Sequence, residues 1–284
     1  MSGAVDTKNP TAVAAEVQAA YLGMFPDGER TWVPRTFDWV VACFTRGCAD
    51  YQAVDTRYHD LEHTLQGALC LARLLRGRQR AGAAPVLTPH FFELGLLAML
   101  LHDTGYLKHR DDRAGTGAKY TVTHVARSAQ FAGRRLAEQG FSPADIQAVQ
   151  NMIHCTGVET HPDMLPFQSE PERVVGCAVA TADLLGQMAA DNYLQKLPDL
   201  YAELAEAAAF TEGPHQALAS FASAEDVLQR TPHFWHAFVR PRLEREFRGV
   251  YRFLNDPYPD GPNEYLNRIK ANLARLRAPG VSAD

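Results

Sequence analysis

The chain has 284 residues, of which 46% are hydrophobic, and a formal net charge of −5 at pH 7. That length and composition allow one large domain with a sizeable buried core. The negative charge argues against a general nucleic-acid binder and against a protein held on an acidic membrane surface. No apolar stretch reaches the length of a membrane span, residues 1–10 are too polar for a signal peptide, and the five cysteines form no CxxC pair. We therefore expect a cytoplasmic protein that binds neither nucleic acid nor membrane, and we leave a homodimer open.

Helical patterns dominate the chain, and no segment alternates like a β-strand for long. Residues from Ala12 to about Cys48 have the pattern of helices that precede the rest of the core. In residues 61–75, apolar side chains recur at three- and four-residue steps, which is the period of a helix. His59 and His63 are four residues apart, so they share one face if this helix begins by His59. The chain is therefore predicted to be all-α.

The stretch from Phe91 to Asp103 is almost wholly apolar until it ends in the adjacent pair His102 and Asp103. A helix that is hydrophobic on nearly every side is expected to be buried. Burying an ionised carboxylate and an imidazole is costly unless something pairs with them. A divalent metal ion is the simplest partner for such a pair, because it accepts both nitrogen and oxygen lone pairs.

Further helical signals follow downstream. An amphipathic segment opens at His124 and ends before a glycine. Ser142 is then the predicted N-cap of a helix that carries His154 near its end. A second apolar run, residues 172–188, places Asp183 where a carboxylate is again unexpected. Asp183 therefore repeats the anomaly of the earlier pair.

These polar residues in apolar surroundings form one set of candidate metal ligands. In chain order they are His63, His102, Asp103, His124, His154 and Asp183. All six fall at helix starts, at helix ends or in apolar helical runs, from which a bundle can direct them to one point. Such a set suits two divalent ions, with Mn, Fe, Co, Zn or Mg as candidates and Asp103 as the simplest bridge. Taken singly, His124 or His154 is equally consistent with a surface or hydrogen-bonded core histidine.

The segment between the His-Asp pair and His124 is rich in glycine and charge and lacks helical periodicity. We interpret residues 106–120 as a loop over the site. Its basic residues are candidate phosphate contacts: Lys108, Arg110, Arg113 and Lys119. The alternative is a solvated loop in which these cations pair with local aspartates.

The order H…HD…H…H…D on an all-helical chain resembles the HD-domain superfamily of metal-dependent phosphohydrolases. The upstream sequence YHDLEH, which starts at Tyr58, is further similar to the Y-H-N-x-x-H signature of class I cyclic-nucleotide phosphodiesterases. This resemblance implies that His59 is the general acid for the leaving oxygen and that His63 binds metal. Asp60 stands where those phosphodiesterases have asparagine, and residues 102–105, His-Asp-Thr-Gly, lack the further histidine that this class has after the His-Asp pair. The resemblance therefore does not extend to a particular substrate.

The fold that the resemblance implies is an HD-domain helical bundle with additional N- and C-terminal helices. We predict an N-terminal helical extension over 1–48, the metal-binding domain over 49–195, and a C-terminal helical segment over 196–284 packed on the same core. The implied activity is hydrolysis of a phosphate ester or diester of a small metabolite by water that two metal ions activate. His59 and Asp103 are the predicted catalytic residues.

A nucleotide or cyclic nucleotide is the leading substrate class. Two alternatives remain. One is an oxygenase with a mixed-valent di-iron centre, because a small group of HD proteins resembling inositol oxygenase uses the same six-ligand order. The other is a sensor module that binds a nucleotide without turnover.

Overall fold

The structure, a computed structural model, describes residues 5–48, 50–211 and 221–276. Within these ranges it contains ten α-helices and no β-strand, and extended backbone pairs only at two isolated bridges. The helices are α1 (Pro10–Met24), α2 (Trp32–Arg46), α3 (Leu61–Arg80), α4 (Pro89–Leu101), α5 (His124–Glu138), α6 (Pro143–His154), α7 (Glu170–Met188), α8 (Tyr193–Phe210), α9 (Ala224–Phe234) and α10 (Glu264–Arg275). Single turns of 3-10 helix lie at Thr104–Tyr106, Gly117–Tyr120, Pro162–Met164 and Val250–Leu254, and π-helical turns at Trp235–Val239 and Arg242–Glu246. The predicted all-α class is confirmed.

The predicted division at residues 48 and 195 stays a prediction. Residues 1–4 of its first segment, residue 49 of its second, and residues 212–220 and 277–284 of its last lie outside the described residues. Among the described residues, α1 packs against α3, and α10 packs against α7.

Helix starts are set by side chains that satisfy free backbone N–H groups. Ser142 caps α6 by accepting from the N–H of Asp145, as the sequence predicts. Asp60 caps α3 by accepting from the N–H of His63 at 3.0 Å. Helix α3 therefore begins at Leu61, so the condition under which His59 and His63 would share one helical face is not met. His59 lies in the segment before the helix, because the cap at position 60 ends the extended backbone there.

Helix α3 is central, since it packs against α1, α4 and α7. Its closest neighbour is α7, and the approach depends on a glycine. A Cβ atom at Gly186 would lie 2.9 Å from the backbone of Gln66, so a larger residue would push the two helices apart. This contact places the first turn of α3, with His63, beside the Asp183 turn of α7.

Helix α4 confirms the burial predicted for the apolar run. Every residue from Leu94 to Leu101 is buried, and the helix ends at Leu101. His102 and Asp103 follow as the turn that leaves the helix, and each is only 1% exposed. An imidazole and a carboxylate therefore lie in the protein interior at the end of this apolar run.

No single helix in the described part of the chain combines the length and the hydropathy needed to cross a membrane. Helices α7 and α8 meet those criteria only when they are taken together, and the chain bends by 109° between them.

Candidate metal centre

Three of the predicted ligands form a compact buried group. Potential ligand atoms of His63, His102 and Asp103 all lie within 4.8 Å of one another. Oδ2 of Asp103 is 3.2 Å from Nε2 of His63 and 3.2 Å from Nε2 of His102. Asp183 borders this group, with its Oδ1 3.1 Å from Nε2 of His63 and 3.5 Å from Nε2 of His102. We call these four residues the His-Asp cluster.

Burial and neighbouring opposite charges together set the pKa values of the four residues in the His-Asp cluster. Burial lowers the pKa of His63, but the adjacent carboxylates of Asp103 and Asp183 outweigh this and raise it to about 9. The pKa of His102 is raised well above its ordinary value, against the same effect of burial, by the same two carboxylates. Both aspartates keep pKa values below the ordinary range, because the two imidazoles outweigh their burial. The cluster therefore favours ionised carboxylates beside protonated imidazoles, and a metal ion bound there would displace the protons on Nε2.

Backbone carbonyls determine which nitrogen of two histidines faces the site. Nδ1 of His102 lies 2.8 Å from the carbonyl oxygen of Met99, and Nδ1 of His124 lies 2.6 Å from that of Thr121. A carbonyl only accepts, so Nδ1 carries the proton in both rings and Nε2 of a neutral ring presents its lone pair. Metal-ligating histidines commonly have such a partner behind them.

The donor set of the cluster fits a metal ion. Nε2 atoms of His63 and His102 face each other at 3.3 Å with carboxylate oxygens around them, and buried Oδ2 of Asp103 has no hydrogen-bond partner among the described residues. Lone pairs converging in this way repel one another unless a cation or added protons intervene. Metal–ligand bonds of about 2.1 Å place neighbouring ligand atoms about 3.0 to 3.4 Å apart, depending on coordination geometry. The separations of 3.1 to 3.5 Å match that spacing.

His124 lies next to the cluster rather than within it. Its Nε2 is 3.8 Å from Oδ1 of Asp103, and burial lowers the pKa of the ring, which favours the neutral form that can bind a metal. The position of His124 depends on Gly105, because a Cβ atom there would lie 1.9 Å from the carbonyl oxygen of His124. The absence of a side chain at Gly105 thus lets the start of α5 approach the His-Asp turn.

We expect Gly105→Ala to lower the free energy of unfolding by about 2 kcal/mol or more, because the new methyl group would collide with backbone that cannot move away without disturbing α5. Urea unfolding followed by circular dichroism measures the change. Gly23→Ala is the matched control, since nothing lies within 4 Å of its added Cβ atom. That helical substitution should be neutral or stabilising by up to about 1 kcal/mol. Equal effects of the two substitutions would contradict the close approach at Gly105.

His59 belongs to a second group beside the cluster. Its ring stacks on Tyr106 with centroids 4.6 Å apart, and Tyr106 stacks in turn on His124 at 4.6 Å. Nδ1 of His59 lies 2.6 Å from Oε2 of Glu203, a carboxylate from α8. Glu203 also accepts the backbone N–H of Arg57 and of Tyr58 at Oε1. Reasoning from the sequence missed Glu203, because nothing in its local sequence indicates a partner 144 residues away.

Glu203 stays ionised although it is 5% exposed. Burial raises the pKa of this carboxyl, but the hydrogen bond and charge of His59 and the two backbone N–H groups lower it below its ordinary value. An ionised Glu203 holds the proton on Nδ1 of His59. We call this pair the His59–Glu203 dyad.

A hydrogen-bonded chain supports Asp183 from behind. The hydroxyl of Tyr58 donates to Oε1 of Gln187 at 2.6 Å, and Nε2 of Gln187 donates to Oδ1 of Asp183 at 3.3 Å. Lys196 holds the segment before α3 in place. Its Nζ lies 2.9 Å from Oδ1 of Asp60 and 3.0 Å from the carbonyl oxygen of Tyr58. Gln187 lies one helical turn after Asp183, and that spacing is the only sequence signal of its role.

The remaining predicted site residues are placed differently. Within the described ranges, no hydrogen bond, ion pair or ring contact joins His154, the half-buried last residue of α6, to the other candidate ligands. Nζ of Lys108 is 2.8 Å from Oδ2 of Asp55, and Nζ of Lys119 is 2.5 Å from Oδ1 of Asp112. Lys119 is thus paired with an aspartate of the same loop, as in the alternative interpretation, whereas Lys108 pairs with Asp55 outside the loop. Arg110 and Arg113 are exposed. The roles of all these residues stay predictions.

A comparison with known protein families gives a match to part of the chain. Residues 110–250 match a protein family that is described as Npun_R2479-like. The matched region contains His124, His154 and Asp183, and it begins after the His102–Asp103 pair. None of the curated proteins matches the chain.

Proposed function

We propose that this chain is a metal-dependent phosphohydrolase of the HD-domain type, which cleaves a phosphate ester or diester of a small metabolite. The observation that carries the proposal is the buried His-His-Asp group beside a separate histidine that a carboxylate orients. The first group has the donors for a metal ion, and the second has the arrangement of a general acid. Hydrolysis of phosphate esters uses both functions at adjacent positions.

The His-Asp cluster would hold the metal, with His124 as a further ligand. A divalent ion there supplies Lewis acidity and positive charge that stabilise the negative charge developing on phosphoryl oxygens. The carbonyl groups of Met99 and Thr121 keep the Nε2 atoms of His102 and His124 directed at the site. The Tyr58–Gln187 chain orients Asp183. Buried α4 keeps water from the floor of the site, which strengthens these electrostatic interactions.

The His59–Glu203 dyad would transfer the proton. Glu203 accepts from Nδ1 of His59, so a proton carried on Nε2 is the one available to a substrate. That proton would pass to the departing oxygen when the phosphorus–oxygen bond breaks, which avoids release of a strongly basic alkoxide. Stacking on Tyr106 restrains the ring in the plane that this transfer requires.

A nucleotide or cyclic nucleotide is the proposed substrate class, and it rests on the similarity of the segment around Tyr58 and His59 to cyclic-nucleotide phosphodiesterases. Exposed Arg113 has no ion pair or hydrogen bond among the described residues, so it is the loop cation that we expect to contact a phosphate. Lys108 and Lys119 would have to leave their aspartates to do so.

The test is hydrolysis of bis(p-nitrophenyl) phosphate by protein that is stripped of metal and reloaded in parallel with Mn, Co, Zn, Mg or Fe. We expect turnover with at least one ion and none in the stripped protein. Absence of turnover with every ion, despite measured metal uptake, would contradict the phosphodiesterase assignment. Oxygen consumption by the iron form would then favour the oxygenase, and nucleotide binding without turnover would favour the sensor module.

A further inference from the structure

A cavity lies away from the His-Asp cluster, between the end of α1, the end of α3 and the start of α4. Its volume is about 110 Å³, and it opens to solvent on one side. This volume is several times the roughly 10 to 15 Å³ that a single water molecule needs. Its apolar lining is formed by Met24, Phe25, Leu75, Val86, Leu87 and Phe92.

Arg78 is the one charged residue that lines this cavity among the described residues. It is 3% exposed, and its guanidinium has no ion pair and no hydrogen bond within the described ranges. Its contact there is with the ring of Phe253, whose centroid lies 5.9 Å from Cζ. Burial lowers the pKa of Arg78, with no opposite charge to compensate.

The other buried cations of the described chain all have partners. Arg242 donates to Oε2 of Glu246 and to three backbone carbonyl groups. Lys108 pairs with Asp55 and donates to the carbonyl of Gly115. A buried charge without such partners costs free energy that a leucine or methionine at the same place would not cost. Arg78 is therefore the exception, and it lies where a ligand can reach it.

We propose that this cavity binds a small amphipathic anion, whose carboxylate or sulfonate pairs with Arg78 and whose hydrocarbon part packs against the apolar walls. A guanidinium forms two parallel hydrogen bonds with a carboxylate, which supplies the missing partner. The walls provide the apolar burial that supplies most of the affinity of such ligands. A cationic ligand would leave the charge of the guanidinium uncompensated.

The site is distinct from the metal centre. His63 and Arg78 lie 15 residues apart on α3, which corresponds to about 22 Å along a helix. The anion site consequently does not depend on the proposed hydrolase activity. A metal-free protein should bind the anion as well as a metal-loaded one does.

The test uses 8-anilinonaphthalene-1-sulfonate as a fluorescent probe of the full-length protein. We expect saturable binding of one molecule, with displacement by octanoate and no displacement by octylammonium at the same concentration. The two competitors share a chain length and differ in charge, so their comparison isolates the cation. Equal displacement by both, or binding that does not saturate, would overturn the proposal.

The matching variant is Arg78→Met, which keeps the bulk of the side chain and removes the charge. We expect its affinity for the probe to fall about ten- to a hundredfold, because a charge-assisted hydrogen bond is lost. The ligand-free variant should melt at a temperature about 2 °C or more above wild type, since the unpaired charge is gone. Arg76→Met, which removes a cation of α3 outside the lining, should leave probe affinity unchanged. Wild-type affinity of Arg78→Met for the probe would overturn the proposal. If Arg78→Met does not fold, Arg78→Lys is measured instead: it keeps the positive charge, so it should still bind the probe, and loss of binding in a folded Arg78→Lys protein would count against the proposal.

Discussion

Asp103→Ala is expected to purify without metal and to lose about a hundredfold or more of phosphodiester turnover. Oδ2 of Asp103 lies 3.2 Å from the Nε2 atoms of both His63 and His102, so its removal leaves Asp183 as the single carboxylate that faces the two imidazoles. Substitution of a residue that only hydrogen-bonds to a metal ligand typically lowers metal affinity or activity ten- to a hundredfold. Substitution of a ligand itself should lower them at least as much. Metal content by plasma mass spectrometry and turnover on bis(p-nitrophenyl) phosphate are the two measurements.

The control for this prediction is Asp111→Ala. Asp111 is an 85% exposed carboxylate that pairs with His109 outside the cluster, so its removal should change neither metal content nor turnover. Asp103→Asn, which keeps the shape of the side chain, separates loss of charge from a packing defect. Wild-type metal stoichiometry in a folded Asp103→Ala protein would show that the cluster is not the metal site.

His59→Ala is expected to retain metal and to lose turnover in proportion to the basicity of the leaving group. The residue lies outside the buried His-His-Asp group, and its ring centroid is 5.6 Å from that of His63. General acid catalysis contributes roughly 10²- to 10⁴-fold, so a loss of that size is expected on diphenyl phosphate, whose phenolate resembles a tyrosine side chain of pKa about 10. The loss should be about tenfold or less on bis(p-nitrophenyl) phosphate, because p-nitrophenolate departs without a proton.

Glu203→Gln is the companion variant. Glutamine keeps the size of the side chain but removes the negative charge that holds the proton on Nδ1 of His59. It should therefore show the same dependence on the leaving group, with a smaller loss. Equal losses on both esters in His59→Ala, or loss of metal with that variant, would contradict the role of His59 as general acid.

The elements of this fold were predictable where one local signal was strong. The apolar run that ends at Leu101 indicates a buried helix, and Ser142 indicates the start of another, because a cap and a 3.6-residue period act within a few residues. The start of α3 was not predictable in this way, because Asp55, Thr56 and Asp60 are all residue types that can cap a helix. Asp60 is the one that does so, and it leaves His59 outside the helix.

Some residues of the candidate site were likewise predictable from the sequence, and others were not. A carboxylate or an imidazole in an apolar run is anomalous in any fold, and that anomaly singles out His102, Asp103 and Asp183 from the sequence alone. Which polar groups pair with each other cannot be recognised from the sequence in this way. The ion pair between Lys108 and Asp55 and the hydrogen bond between His59 and Glu203 join segments that have no relation in the chain.

The sequence by itself therefore determined that the chain is helical and that a few buried polar residues require a partner, because hydrophobic period and desolvation cost belong to each segment alone. Only the tertiary structure decided which of those residues meet. The close packing of α3 on α7 at Gly186, and of the His-Asp turn on α5 at Gly105, brings potential ligand atoms of His63, His102 and Asp103 to within 4.8 Å of one another. It also decided which buried cation lacks a partner, since the surroundings of Arg78 come from three helices and a loop. Distances between remote segments depend on how helices pack, and packing is a property of the whole chain.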